Sequence, residues 1–484
     1  SLDNSSLNVT KEQLAGLENG FILGLGRDGD LYILRCDYPT RAQVLENCTV
    51  EATRRDYNRM FNNRAYPQNE TLLTAVINTR DTLAKLLGFS SFAELDISSQ
   101  MAKTPETVSK FLETIADQYT EKADAEWALL LLDLPESVTL TEEGKVKPWD
   151  VAFLHNYYKK NHLHIDNEKI AEYFPMETVV QGLLDVYGKF FGLRFEVVPA
   201  EGLWDADVQL IAVSETGSEA SLVGHLILDL FPRENKYSHA CCESLWPPIS
   251  WDGGKTYAPA LTIVIANFSK STDSKPSLFQ HQEVEVLFHE FGHAIHALLG
   301  RAEMPTKAAF NTKIDFVEAP SQLLEEWVWD ADVLKILSRH YQTGEPLPDA
   351  LVQQMIDTAN FDEGRLTLRQ IGLAKTSLNC FSPGQDKDLA ELQTNVYGAG
   401  AKYVAFDPEG HSLCSFGHLT NYGAKYYSYL WSKQLAKQLF SYIGAHGGPL
   451  DPVLGERYRA KVIGRGGSCE PQELVTDFLS DASQ

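Results

Sequence analysis

Hydrophobic positions along this chain recur mostly at the three- and four-residue spacing of a helix. At 101–115 Val108, Phe111, Leu112 and Ile115 form an apolar stripe, Thr104 is placed to cap it, and Pro105 suits the first helical position. A second stripe at 284–298 joins Val284, Leu287, Phe288, Phe291, Ile295 and Leu298. Glu283 and Glu285 lie in its early turns, where negative charge suits the helix dipole, and Gly300 is placed to end it. Between these stretches the pattern changes. The runs 195–198, 208–213, 222–230 and 261–266 are short and rich in β-favouring residues, which predicts a small sheet. Residues 135–149 carry Pro, Gly and charges and read as a surface loop. Residues 396–422, with Gly398, Gly400, Gly410 and Gly417, read as a long mobile loop. The expected architecture is mainly α: a helical region at 1–190, a small β-sheet region at 191–275 and a helical region at 276–484.

A net charge of -24 sets most of the surface against a phosphate backbone, so nucleic acid is not an expected partner. With 44% hydrophobic residues the chain can bury a sizeable core, which excludes a disordered or fibrous chain. No apolar run is long enough to cross a bilayer, so no membrane partner is expected. Seven cysteines, an odd number without a C-x-x-C pair, suit free thiols in a reducing compartment. The expected location is the cytoplasm, with the mitochondrial matrix as the alternative.

The chemistry concentrates in the second stripe. His289 and His293, four residues apart, fall on one helix face and can share an ion, and imidazole nitrogen suits zinc. Glu290 sits one position round from His289. From there it can take a proton from an attacking water without being a ligand itself. The competing reading is an accidental H-E-x-x-H on a core helix. A catalytic zinc needs a third protein ligand, and Glu318 stands out because Phe316, Val317 and Ala319 flank it. A carboxylate in such surroundings is costly to bury unless it binds a metal or forms a salt bridge. His296 is expected to be structural. Glu325 and Glu326 look like an ordinary solvated pair. Glu285, four residues before His289, is the leading candidate to accept that ring's other proton, with Asp315 the weaker one.

Downstream, Tyr422, Tyr426 and Tyr429 stand at i, i+4 and i+7, so one continuous helix would place them on one face. With His418 they could donate hydrogen bonds to the oxyanion formed when water attacks an amide. A tyrosine stripe packed on a neighbouring helix is the alternative.

The run 281–293 (HQEVEVLFHEFGH) resembles the thimet oligopeptidase family of zinc peptidases, as does 315–322 (DFVEAPSQ), where that family places its third zinc ligand. The resemblance extends to 231–239 (FPRENKYSH), Trp204, 339–341 (RHY) and the tyrosine-rich stretch. It implies one Zn2+ per chain held by His289, His293 and Glu318, with Glu290 as general base. It also implies that His418, Tyr426 and Tyr429 act on the transition state, and that Tyr422 and His239 bind substrate. The implied fold is a large helical ellipsoid with a deep channel and a small β-sheet near the active site. The implied activity is endopeptidase cleavage of short peptides by a monomer. Three features depart from the family pattern. The chain is short for it, which suggests a reduced N-terminal half. The His418–Tyr426 spacing and 455–459 (GERYR) resemble the mitochondrial intermediate peptidase branch, so Tyr422 transfers less directly than Tyr426. Ile314 stands where a basic residue is common. The alternative function is a catalytically impaired peptide-binding protein of the same fold.

Overall fold

The computed structural model describes residues 5–217, 221–237, 239–252, 256–271 and 275–480. The chain forms two compact units, each drawn from two separated stretches: Ser1–Ile165 with Asn360–Tyr427, and Asp166–Ala359 with Ser428–Gln484. Both are dominated by helices, as the apolar spacing predicts.

The second unit is built around one mixed sheet. Its strands are β1 (Leu193–Val198), β2 (Gln209–Glu215), β3 (Leu222–Asp229), β4 (Cys241–Trp246) and β5 (Ala260–Ile265). Their spatial order is β1-β2-β3-β5-β4. Only β3 and β5 run parallel, and β4 is an edge strand paired antiparallel to β5. Helix α1 (Met176–Phe191) leads into β1 through Gly192 at φ 65°. Helix α2 (His281–Leu299) lies against β3, β5 and β4. Its apolar stripe is fully buried, and the buried Tyr187 hydroxyl of α1 donates to the Phe288 carbonyl at 2.9 Å. That bond satisfies the phenol while its ring packs edge-on against Phe288, Phe291 and Trp327. Beyond α2 come α3 (Ile314–Val317) and α4 (Ala319–Glu325), and then α5 (Ser428–His446).

In the first unit the stripe beginning near Thr104 runs on to Leu132, one helix of 28 residues (Pro105–Leu132). Thr104 caps it by accepting from the Thr107 amide at 3.1 Å. It packs along Glu363–Cys380. Arg54 and Asp150 form a fully buried ion pair at 2.6 Å, and Arg54 also donates to the Cys48 carbonyl, so the buried charge is paired and hydrogen-bonded. A three-stranded antiparallel sheet (Ser6–Val9, Gly26–Asp28, Leu31–Arg35) lies within the stretch expected to be helical. Its strands are only three to five residues long, too short for an alternation to stand out. The glycine-rich stretch read as one loop is broken into 3₁₀ turns at Asn395–Lys402 and Ser412–Ser415 and a helical turn at His418–Asn421. None of the seven cysteines, all of them among the described residues, forms a disulfide. Among the described residues no helix is long and apolar enough to cross a membrane.

Candidate active site

Helix α2 starts with a capping box. Gln280 accepts from the backbone of the third helical residue, and the Glu283 carboxylate returns the bond to the Gln280 amide at 2.8 Å. This sets the register that carries His289 and His293 onto one face. Glu318 arrives from the junction of α3 and α4, where Pro320 in the first turn of α4 has no amide to continue the preceding helix. The approach is close because position 292 is glycine: a Cβ there would stand 2.5 Å from the Ser321 Cα. The glycine inside HEFGH therefore lets α4 rest against α2 at the height of the two rings.

The Nε2 atoms of His289 and His293 are 3.2 Å apart, and Glu318 Oε2 lies 3.0 Å from His293 Nε2 and 3.3 Å from His289 Nε2. Among the described residues this is the one group of three or more potential ligands whose donor atoms converge, all within 4.8 Å of one another. Two imidazole nitrogens and one carboxylate oxygen are the donor types a catalytic zinc takes from protein, leaving its fourth position open. The residues fit that ion. Burial alone would raise the Glu318 carboxyl, but the His293 and His289 rings outweigh it and hold it well below the usual carboxylate range. It is thus an anion although only 3% exposed.

Glu290 is buried beside the two rings without belonging to the converging set. Burial pushes its carboxyl up, and the two histidines oppose that only in part. The edge strand β4 begins next to it. Burial, and then the Glu290 charge, push the Cys241 thiol up to about 11, so it is protonated at neutral pH.

The partner of the His289 ring differs from expectation. Glu325, not Glu285, accepts from His289 Nδ1, at 2.6 Å. Glu325 lies seven residues after Glu318, two turns along α4 on the same face, so the approach that delivers Glu318 also delivers Glu325. That spacing is the signal in the sequence, and Glu325 and Glu326 are partly buried, not the solvated pair expected. Lys433 from α5 pairs with both, at 3.2 Å and 2.8 Å. Glu285 lies near this group, and burial, then the Glu325 charge, push its carboxyl up to about 7. Asp315 is buried, and its carbonyl accepts from Ser432. His296 is also buried, outside the converging set. Neither of its ring nitrogens has a hydrogen-bond partner among the described residues, and burial pushes its pKa down to about 3.

The tyrosine-rich stretch does not form one helix. Gly423 takes φ 60°, and residues 422–427 are non-helical between His418–Asn421 and α5. The expected single face of Tyr422, Tyr426 and Tyr429 is therefore absent. His418, Tyr422 and Tyr426 belong to the first unit and Tyr429 to the second. Within the first unit the His418 ring stands 5.0 Å from that of Tyr426 and 5.4 Å from that of Tyr422, centre to centre. The Tyr426 hydroxyl donates to Gln370 Oε1 at 3.1 Å. Tyr429 is the second residue of α5, and its carbonyl accepts from Gln322 of α4 at 3.1 Å.

His239 is exposed, 5.4 Å from the Tyr237 ring, and Ser238 of the same motif lies outside the described residues. Two other residues of that motif bind a buried carboxylate. Arg233 and Lys236 pair with the buried Asp229, to which Trp204 also donates at 2.9 Å. Burial would raise the Asp229 carboxyl, but these three donors hold it down at about 2.

Residues 44–484 match the family described as Peptidase family M3. The chain is 32% identical to the thimet-like oligopeptidase of Dictyostelium discoideum, over 99% of this chain and 72% of that protein. It is 32% identical to saccharolysin of Saccharomyces cerevisiae, over 98% and 69%. It is 30% identical to the mitochondrial intermediate peptidase of Arabidopsis thaliana, over 85% and 58%. A solved structure titled PZ peptidase A with inhibitor 2 shares the fold at a TM-score of 0.54 and 15% identity, over 97% of this chain and 71% of that one. On the profile match and these identities together, the chain belongs to peptidase family M3 and is a metalloendopeptidase.

Proposed function

We propose that this peptidase is a zinc-dependent oligopeptidase in which His289, His293 and Glu318 hold one Zn2+ and Glu290 is the general base. The observation that carries the reading is the convergence of those three donors with a fourth, non-converging carboxylate beside them. When bound, the ion supplies Lewis-acid polarisation of the scissile carbonyl and makes water a stronger acid. Glu290 takes the proton as water attacks and hands it to the departing amine. Glu325 fixes the tautomer of His289 by accepting from Nδ1, which leaves Nε2 to face the ion. Hydroxyls of Tyr426 and Tyr429 and the His418 ring donate to the oxyanion, and Tyr422 and His239 contact the peptide. Short peptides as substrates are supported by the names of the relatives, thimet-like oligopeptidase and saccharolysin. Those names speak for peptide partners and not for an oligomeric state. A cytosolic location is supported by the probable cytosolic oligopeptidase A among the relatives, and the mitochondrial intermediate peptidase keeps the matrix in view.

The deciding experiment is Glu290→Gln, assayed for zinc content and for cleavage of internally quenched peptides of increasing length. The amide cannot take a proton, so zinc stays stoichiometric while kcat falls about 10²–10⁴-fold, the usual contribution of a general base. Normal turnover in that variant would sink the mechanism. Undiminished cleavage of long or folded chains would sink the oligopeptidase assignment.

A further inference from the structure

Lys433 lies on α5, away from the converging donors, yet the side chain is only 28% exposed and serves two carboxylates at once. Its Nζ is 3.2 Å from Glu325 Oε2 and 2.8 Å from Glu326 Oε1. The other oxygen of Glu325 is the one that accepts from His289 Nδ1. A continuous chain of contacts thus runs from α5 through one carboxylate to a ligand ring: Lys433 Nζ, Glu325 Oε2, Glu325 Oε1, His289 Nδ1. The helix carrying the lysine is pinned where this chain starts. Ser432 donates to the Asp315 carbonyl at 2.9 Å, and Gln322 donates to the Tyr429 carbonyl at 3.1 Å. Tyr429 precedes Lys433 by four residues, so the two share a face of α5.

We propose that Lys433 is a positioning residue of the metal centre, holding Glu325 against His289 and coupling the set of that ring to the helix that bears Tyr429. The physical need is plain. Glu325 and Glu326 are adjacent like charges, with Glu285 close by, and they repel one another in a partly buried site. One cation between Glu325 and Glu326 removes the incentive for Glu325 to swing toward solvent, and its two contacts fix which oxygen faces the ring. Without it the carboxylate can rotate, the ring loses its fixed tautomer, and the ligand set loosens. A lysine that only anchored α5 to the body of the unit would affect stability and leave the metal alone.

The inference rests on the zinc reading of His289, His293 and Glu318, and the test separates the two. Zinc affinity is measured on the metal-stripped full chain by competition with a chelator, alongside kcat and KM at saturating zinc. Lys433→Met is expected to weaken zinc binding about 10-fold, the low end for loss of an outer partner of a ligand. Lys433→Arg restores most of it, because the guanidinium can reach both carboxylates. In a Glu325→Gln background Lys433→Met adds less than about twofold, since the two act through one contact. At saturating zinc KM is unchanged and kcat falls. Wild-type zinc affinity in Lys433→Met, or fully multiplicative effects of Lys433→Met and Glu325→Gln, overturns the inference while leaving the zinc site standing. Absence of stoichiometric zinc from the wild-type chain overturns both.

Discussion

The helices of the candidate metal site and the tyrosine-rich stretch each hinge on a glycine, and the two glycines do opposite things. Gly292 sits inside α2 with helical geometry, and its value is the missing Cβ that lets α4 approach to 2.5 Å of where that atom would be. Gly423 interrupts the stretch from His418 to α5, and its value is the positive φ of 60° that a side chain resists. One glycine preserves helical periodicity and brings two elements together. The other ends periodicity. Spacing therefore carries His289, His293, Glu318 and Glu325 from the sequence into space, whereas the i, i+4, i+7 pattern of Tyr422, Tyr426 and Tyr429 does not survive.

The sharpest way to break this comparison is Gly292→Ala. The added methyl meets backbone, the Ser321 Cα at 2.5 Å, not the end of a flexible side chain. Helix α4 must move away, and Glu318 and Glu325 move with it. The expected outcome is a loss of about 2–3 kcal/mol in unfolding free energy, typical of overpacking, and zinc affinity lowered by more than about 10-fold. Denaturant unfolding and chelator competition on the same preparation read both. A stable variant with normal zinc affinity would show that α4 does not need the glycine.

The second test addresses what remains of the tyrosine stretch once the common face is gone. If Tyr426 donates to the oxyanion, Tyr426→Phe lowers kcat about 10²-fold, at the low end for loss of one such donor, with little change in KM. Steady-state kinetics on a quenched peptide separate this from a rise in KM alone, which would assign the hydroxyl to ground-state binding. Its bond to Gln370 at 3.1 Å offers a built-in control. If the hydroxyl matters only to packing, Gln370→Leu should mimic Tyr426→Phe in stability, and neither should move kcat.

Much of the candidate metal site is legible in the sequence because it is local. The two histidines and Glu290 sit on one helix whose stripe, acidic first turns and terminal glycine all point the same way, and Glu318 betrays itself as a charge among apolar neighbours. Glu325 was misread because an E-E pair looks solvated until the partner element is known. Its contact with His289 spans 36 residues and depends on α4 packing against α2. Four strands of the central sheet were legible as β-rich runs, but β4 (Cys241–Trp246) was not among them. The order of the sheet, with β4 at the edge beside Glu290, was not legible either, because pairing between distant strands leaves no local mark. The N-terminal three-stranded sheet was missed for lack of length. The motif around Asp229 shows a further limit. Trp204, Arg233 and Lys236 lie where the family resemblance extends, which says nothing of their role, and all three are spent on one buried carboxylate.

The smallest effect is expected at Gly423→Ala, and it separates the two regions most cleanly. The new Cβ would stand 2.4 Å from Asp96 Oδ2, an atom that accepts from the Ala424 amide at 3.0 Å. Asp96 can yield by rotating, so the clash is cheaper than the one at Gly292, but its bonds to the Ala424 amide and to Lys425 then weaken. Adding the strain of a left-handed alanine, the expected cost is about 1–2 kcal/mol. All three converging donors lie in the other unit, so zinc affinity should equal that of the wild type, while kcat falls if His418 and Tyr426 act on the transition state as proposed. A Gly423→Ala chain with weakened zinc binding would mean that the proposed ligand set depends on the tyrosine-bearing turn, and the contrast between a self-contained candidate metal site and a separately built turn would fail.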